Sequence, residues 1–255
     1  MPATKNRPTG PEPPPAVQHL LVRYAKRGRM RFASIRDVQR AFERAVRQAG
    51  LPIAHSAGFS PHPKISYASG TQTGVASEAE YLSLGLTAPV DPAGMRSVLD
   101  RALPDGIDVI EVAEDSGGSL NSRLMVSEWL VELPGIAPDA VETAARTFLA
   151  AAEVPVERLT NKGVRHFDAR AAVLTLEVTP RAGTIDHHEC ATIRMVVRHT
   201  EPAVRPEDVL NGMLPGGAAS VKPAAAVTRV AQGILGPEDR ATAVIAPPPA
   251  KVNVP

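Results

Sequence analysis

"VQHLLVRYAKRGRMRFASIRDVQRAFERAVRQAGLP", residues 17–52, decides how the chain is read. Val17–Tyr24 has the composition of a strand, and a cationic turn follows it. Ser34 with Asp37 three residues on is a variant capping box. Ile35, Val38, Phe42, Ala45, Val46 and Ala49 then recur at helical spacing, so 35–49 is expected to be an amphipathic helix. Gly50 and Pro52 end it, as a left-handed glycine and a following proline do.

Working outward, Lys64–Ser69 and "EYLSLGLT" (80–87) read as strands and "DPAGMRSVLDRAL" (91–103) as a helix opened by Asp and Pro. "IDVIEVAE" (107–114) is the next strand. The order β-α-β-β-α-β is that of the split ferredoxin-like unit. After "DSGGS" (115–119) the order repeats: strand 123–133, helix 137–152, strands 156–160, 170–178 and 191–199, helix 205–213, strand 225–233. The expected fold is therefore α+β, with two tandem ferredoxin-like (βαββαβ-type) units, antiparallel sheets and disordered Pro-rich tails. The boundaries are 1–16 for the N-terminal tail, 17–116 and 117–235 for the units, and 236–255 for the C-terminal tail. Six of the 25 prolines lie in 1–16 and five in 236–255.

Composition narrows the function. One cysteine, Cys190, excludes an internal disulfide and any metal or cluster site needing several thiolates from this chain. A reducing, cytoplasmic setting is expected, with no membrane segment and no secretory leader. The net charge of +1 conceals an asymmetry: residues 1–64 hold twelve Lys or Arg against three Asp or Glu, and the remainder is net acidic. A basic segment of this kind points to an anionic partner.

The cations are also patterned. At about 100° per residue, Arg36, Arg40, Arg44 and Arg47 occupy one arc of roughly 80° opposite the apolar stripe. Guanidinium forks suit phosphate oxygens, whereas a merely solvated face, or a Glu43–Arg47 pair, is the plainer reading. Further along, "HSAGFSPHPKISYASG" (55–70) carries His55 and His62 among Gly and Pro breaks. The two imidazoles are candidate acid–base groups, and with Glu78 and Glu80 on one strand face they would make a two-His, carboxylate set. The alternative is that these side chains tie down the loop by hydrogen bonding to its backbone, and no metal site is expected. "HH" at 187–188 falls in a turn and is weaker. No phosphate loop, dinucleotide fingerprint, nucleophile elbow or zinc-protease helix is present.

Residues 29–86 resemble the signature of a radical-SAM-associated domain family of unknown function, whose members occur fused to a radical SAM protein or as separate chains. The matching features are Arg31 and Phe32, Ser34 and Asp37, then Arg40, Arg44 and Arg47. Gly50 to Pro52 follow, then Ser56, Gly58, Phe59, Pro61, His62, Pro63, Gly74, Ser77, Glu80 and Tyr81. Ile35 departs from the pattern, since many relatives carry His there. The resemblance implies a radical SAM protein as partner, holding the [4Fe–4S] cluster, S-adenosylmethionine and in some relatives cobalamin; this chain would hold no cofactor. The leading expectation is an accessory module, not itself a catalyst, that presents RNA or another polyanion. Arg31, Arg36, Arg40, Arg44, Arg47 and Lys64 would contact phosphates, and Phe59, His62 and Tyr67 would contact bases. The alternatives are an RNA-acting enzyme using His55 or His62 with Glu78 or Glu80, and an adaptor docking an acidic protein surface.

Overall fold

The computed structural model describes residues 12–161, 163–180, 190–221 and 224–243. Strand β1 (Gln18–Lys26) leads through a 3-10 turn (Gly28–Phe32) into helix α1 (Ile35–Gln48). Then come β2 (Ile65–Tyr67), β3 (Ala76–Leu86), α2 (Pro92–Ala102), β4 (Ile107–Glu114) and the one-turn α3 (Leu120–Arg123). The later elements are β5 (Val126–Pro134), α4 (Pro138–Ala150), β6 (Pro155–Thr160), β7 (Gly163–Asp168) and β8 (Val173–Pro180). They continue with β9 (Cys190–Arg198), α5 (Pro206–Met213), β10 (Ala226–Leu235) and β11 (Ala241–Ala243). No helix among the described residues is long and apolar enough to cross a membrane.

The fold is α+β, with a mixed nine-stranded sheet in the order β4-β1-β3-β10-β5-β9-β8; β2 pairs β3 and β11 pairs β10. The expectation of purely antiparallel sheets is corrected at one place, where β10 runs parallel to β3 (Thr228 opposite Ala76, Arg229 opposite Ser77). The reason lies in strand lengths. β2 covers β3 only at Leu82–Leu84, so the start of the eleven-residue β3 keeps an open edge that accepts another strand. Strand β7 was not anticipated; it pairs with β6 as a separate hairpin.

The chain divides into two compact units. Of the described residues, the first holds 12–73 and 80–120, and the second holds 74–79 and those from 121 to 243. In the first, α1 buries Val38, Ala41, Phe42, Ala45 and Val46 against Leu20, Val22 and Tyr24 of β1 and Leu82, Leu84 and Leu86 of β3. Ile35, counted with the core in the sequence, is 54% exposed. The helix starts at the expected capping box, with the Asp37 amide donating to Ser34 Oγ at 3.2 Å and the Ser34 amide to Asp37 Oδ2 at 3.2 Å. It ends in a Schellman turn: Leu51 N–H donates to Val46 O and Gly50 N–H to Arg47 O, with Gly50 at φ +62°.

The second unit buries Val131, Leu133, Val141, Phe148, Ile193 and Met195 around α4 and α5. Its last strands correct the expected tail. Residues 237–243 form a 3-10 turn and β11, and Arg240 Nη1 donates to the buried Glu128 carboxylate at 2.8 Å, beside Arg194. Residues 1–11 and 244–255, the rest of the expected tails, and the 187–188 histidines lie outside the described residues. Burial alone would raise the Glu128 pKa, but hydrogen bonds from Arg240 and Arg194 outweigh it and hold the carboxyl below its ordinary value. Its contribution to stability is therefore present above the unfolded-state value and is lost as pH falls through the lowered one. Arg240→Ala is expected to cost about 1 kcal/mol at pH 7, since Arg194 remains and Arg240 is partly solvated. Urea denaturation checks this, and the difference from wild type should shrink as the medium is made acid enough to protonate Glu128.

Candidate nucleic-acid interface

The geometry of α1 follows from its sequence. With one stripe packed on the sheet, Arg36, Arg40, Arg44 and Arg47 are left exposed on the opposite side. None of the four has an ion pair or hydrogen bond among the described residues, and the Glu43–Arg47 pair is not formed. Their field is felt at Asp37, whose pKa lies below the ordinary value. The Ser34 hydroxyl and then the Ser34 amide are the main causes, opposed weakly by burial and helped by Arg40 and Arg44. Just before the helix, the Arg31 guanidinium lies 4.7 Å over the Phe32 ring, which is itself 57% exposed.

Not all of the basic segment belongs to this surface. Arg27 pairs with Asp108 at 2.8 Å. Lys26 is 4% exposed, and its Nζ donates to the carbonyls of Thr71 and Gln72, each at 3.3 Å. Alternation along β1 puts Lys26 on the same face as Leu20, Val22 and Tyr24, a signal the sequence held but the charge count hid.

The 55–63 loop is a hairpin tip. His55 bridges Pro63, Ser56 N–H donates to the His62 carbonyl at 2.8 Å, and His62 N–H returns a bond to Ser56 Oγ at 3.1 Å. Phe59 stands out from the tip, 74% exposed. The imidazoles of His55 and His62 are exposed, and neither has a partner among the described residues. So the loop is held by its own backbone and by Ser56 Oγ, not by the histidine side chains as the plainer reading expected, and the imidazoles are left over.

Beside this hairpin is a cleft of about 230 Å³ whose lining includes His19, His62, Lys64, Ser66, Ser83 and Gly85. Its position is decided by strand alternation. Ser66 pairs with Ser83 across β2 and β3, whereas the neighbouring Leu82 and Leu84 point into the α1 core. His19 likewise faces away from Leu20 and Val22. The cleft therefore opens on the face of the first unit's sheet that α1 does not cover, and the arginine ridge lies on the helix side.

The remaining candidates are dispersed. Glu80 is 4% exposed and accepts from Thr71 Oγ1 at 3.0 Å; with Lys26 it lines a cavity of about 20 Å³, enough for a water molecule. Glu78 is half-buried and belongs to the second unit, whereas His55, His62 and Glu80 belong to the first. Among the described residues no three His, Cys, Asp or Glu side chains gather as a metal site would need, so the two-His, carboxylate set is not assembled. Tyr67 packs edge-on against Phe42, with ring centroids 6.4 Å apart, and its hydroxyl donates to the Gln39 carbonyl at 3.4 Å. Burial, then the nearby Glu43, pushes the phenol well above its ordinary pKa. Tyr67→Phe is expected to leave RNA retention on a filter unchanged and to cost about 1 kcal/mol in urea denaturation. His19 and the exposed Phe32 ring were not singled out as site residues. His19 sits at the start of an ordinary strand, and no spacing in the sequence ties it to His62.

A family model described as "Uncharacterized protein conserved in bacteria (DUF2344)" matches residues 19–206. No curated protein matches the chain. A solved structure, the crystal structure of an unknown protein from Galdieria sulphuraria, is 14% identical over 72% of this chain and 84% of its own, with a TM-score of 0.24. That likeness is too slight to support an argument about fold or function.

Proposed function

The chain belongs to the DUF2344 family of uncharacterized bacterial proteins, and from that premise we propose that it binds RNA without acting on it and presents it to a radical SAM partner. The observation that carries this reading is the ridge of Arg36, Arg40, Arg44 and Arg47, four exposed guanidinium groups without ion pairs among the described residues. A row of this kind tracks a phosphate backbone, and neither acidic residue of the helix, Asp37 or Glu43, forms an ion pair with it among the described residues. Exposed Phe32, with Arg31 stacked on it, and exposed Phe59 supply faces on which unpaired bases stack. Those aromatic faces favour a single-stranded nucleic acid over an acidic protein surface.

The partner comes from the resemblance of residues 29–86 to radical-SAM-associated domains, and the cluster and S-adenosylmethionine, with or without cobalamin, are assigned to it. We also read both units as ferredoxin-like. In support, β4-β1-β3-β2 and β10-β5-β9-β8 have the same 4-1-3-2 order within their own βαββαβ series, with β6 and β7 inserted in the second.

The test is retention of total cellular RNA by the purified chain over a salt series. Expected is binding whose logarithm falls linearly with log salt. Absence of binding at low salt rejects the reading, and capture of an acidic protein that RNA does not displace would replace it with the adaptor.

A further inference from the structure

The cleft on the helix-free face has a chemistry that the ridge does not share. Three nitrogen-bearing side chains line it: the His19 and His62 imidazoles and the Lys64 ammonium. All three are exposed, and none has a hydrogen bond or ion pair among the described residues. Each comes from a different place in the chain: β1, the hairpin tip, and the run into β2. Gly85 forms part of the floor. A Cβ there would meet Lys64 Cβ at 3.4 Å and His19 Cε1 at 3.5 Å, ordinary contact distances, so Gly85 has these two residues on either side of its open face. Ser56 and Ser66 add hydroxyls to the lining.

A cation is disfavoured by the ammonium, and no carboxylate lines the cleft. The nearest carboxylate by bonding is Asp115, which accepts from Ser83 Oγ at 2.7 Å. Two imidazoles, an ammonium and hydroxyls are instead the donor set of an oxyanion site. At about 230 Å³ the cleft holds several times the roughly 30 Å³ of a water molecule.

We propose that this cleft binds a phosphate group through His19, His62 and Lys64, independently of the arginine ridge. The phosphate comes either from a small phosphate compound or from the end of a nucleic-acid strand.

The test is an NMR titration of the full chain with inorganic phosphate, following the histidine ring signals, with His19→Gln and His62→Gln assigning them. Expected are saturable shifts of both rings with one apparent constant, roughly tenfold weaker in Lys64→Met. The variant with Arg40, Arg44 and Arg47 changed to Glu should titrate as wild type does, even if it no longer retains RNA. Absence of saturable shifts at pH 6, or equal binding by Lys64→Met and both Gln variants, overturns the proposal; loss of binding in the ridge variant overturns the independence of the cleft. Competition by a 5′-phosphorylated but not a 5′-hydroxyl oligonucleotide, measured on the ridge variant, identifies a strand end as the source. Competition by neither, with phosphate still saturating, identifies a small phosphate compound.

Discussion

Changing Arg40, Arg44 and Arg47 together to Glu is expected to abolish RNA binding at low salt. Each phosphate contact with a single strand contributes a slope of about 0.7 in log affinity against log salt. Four contacts from the ridge predict a wild-type slope near −3, so binding should weaken roughly 50-fold as salt rises fourfold. Replacing three of the four removes about 2 units of that slope and adds repulsion in their place. The fold should survive. All three side chains are exposed and make no ion pair or hydrogen bond among the described residues, and Glu and Arg have similar helix propensity. The new carboxylates lie near Asp37 and Glu43, which costs a few tenths of a kcal/mol per like-charged pair. A triple Gln variant separates lost attraction from added repulsion; it should lose the same part of the salt slope with a smaller loss of affinity. Filter binding over the salt series, with circular dichroism as the folding control, is the measurement. An unchanged slope would dispose of the ridge as the contact surface.

Lys26→Met is expected to destabilise the first unit by about 3–5 kcal/mol, the range for removing one partner from a buried charged set. Lys26 and Glu80 are each 4% exposed, line one small cavity and both hold Thr71: Lys26 through the Thr71 carbonyl and Glu80 through its hydroxyl and amide. Methionine fills much of the lysine stem's volume but supplies no donor, so the Glu80 carboxylate stays buried with its surroundings depleted. Glu80→Gln, which keeps shape and an acceptor, should cost less. Urea denaturation of both variants gives the order. If Lys26→Met costs under about 1 kcal/mol, the buried ammonium is not what ties residues 71–72 to the sheet. This expectation also separates two views of Glu80. As a structural anchor its replacement changes stability, and as an acid–base group it would change turnover in a chain of full stability.

How far these features were legible in the sequence depended on whether they were local. Helix α1 could be read from one end to the other. Its capping box, apolar period and terminal glycine all act within a few residues, and the arginine ridge is the complement of that stripe. Strands β1, β4 and β9 lie within two residues of where their composition put them, because one run of apolar residues sets each. Strand β3 begins four residues earlier than expected. Its opening residues, "ASEA", do not announce a strand; pairing with β10 makes them one. Strand β7, the second arm of the β6 hairpin, and strand β11 were missed for a similar reason, since short strands are defined by the partner they find.

The candidate site divides along the same line. Sequence by itself determined the cationic face of α1 and the hairpin tip with its exposed Phe59, because helical period and Gly-Pro punctuation are local. Only the tertiary structure decided that Lys26 and Glu80 are buried, that Tyr67 is engaged with Phe42 and Gln39, and that Arg240 pairs with the buried Glu128 of the second unit. It alone brought His19 to His62 and Lys64, and put that cleft on the face of the sheet that α1 leaves uncovered. The physical reason is that burial and convergence depend on which strands pair and in what register. Pairing joins residues tens of positions apart, and its side-chain alternation sends neighbours such as His19 and Leu20 to opposite faces.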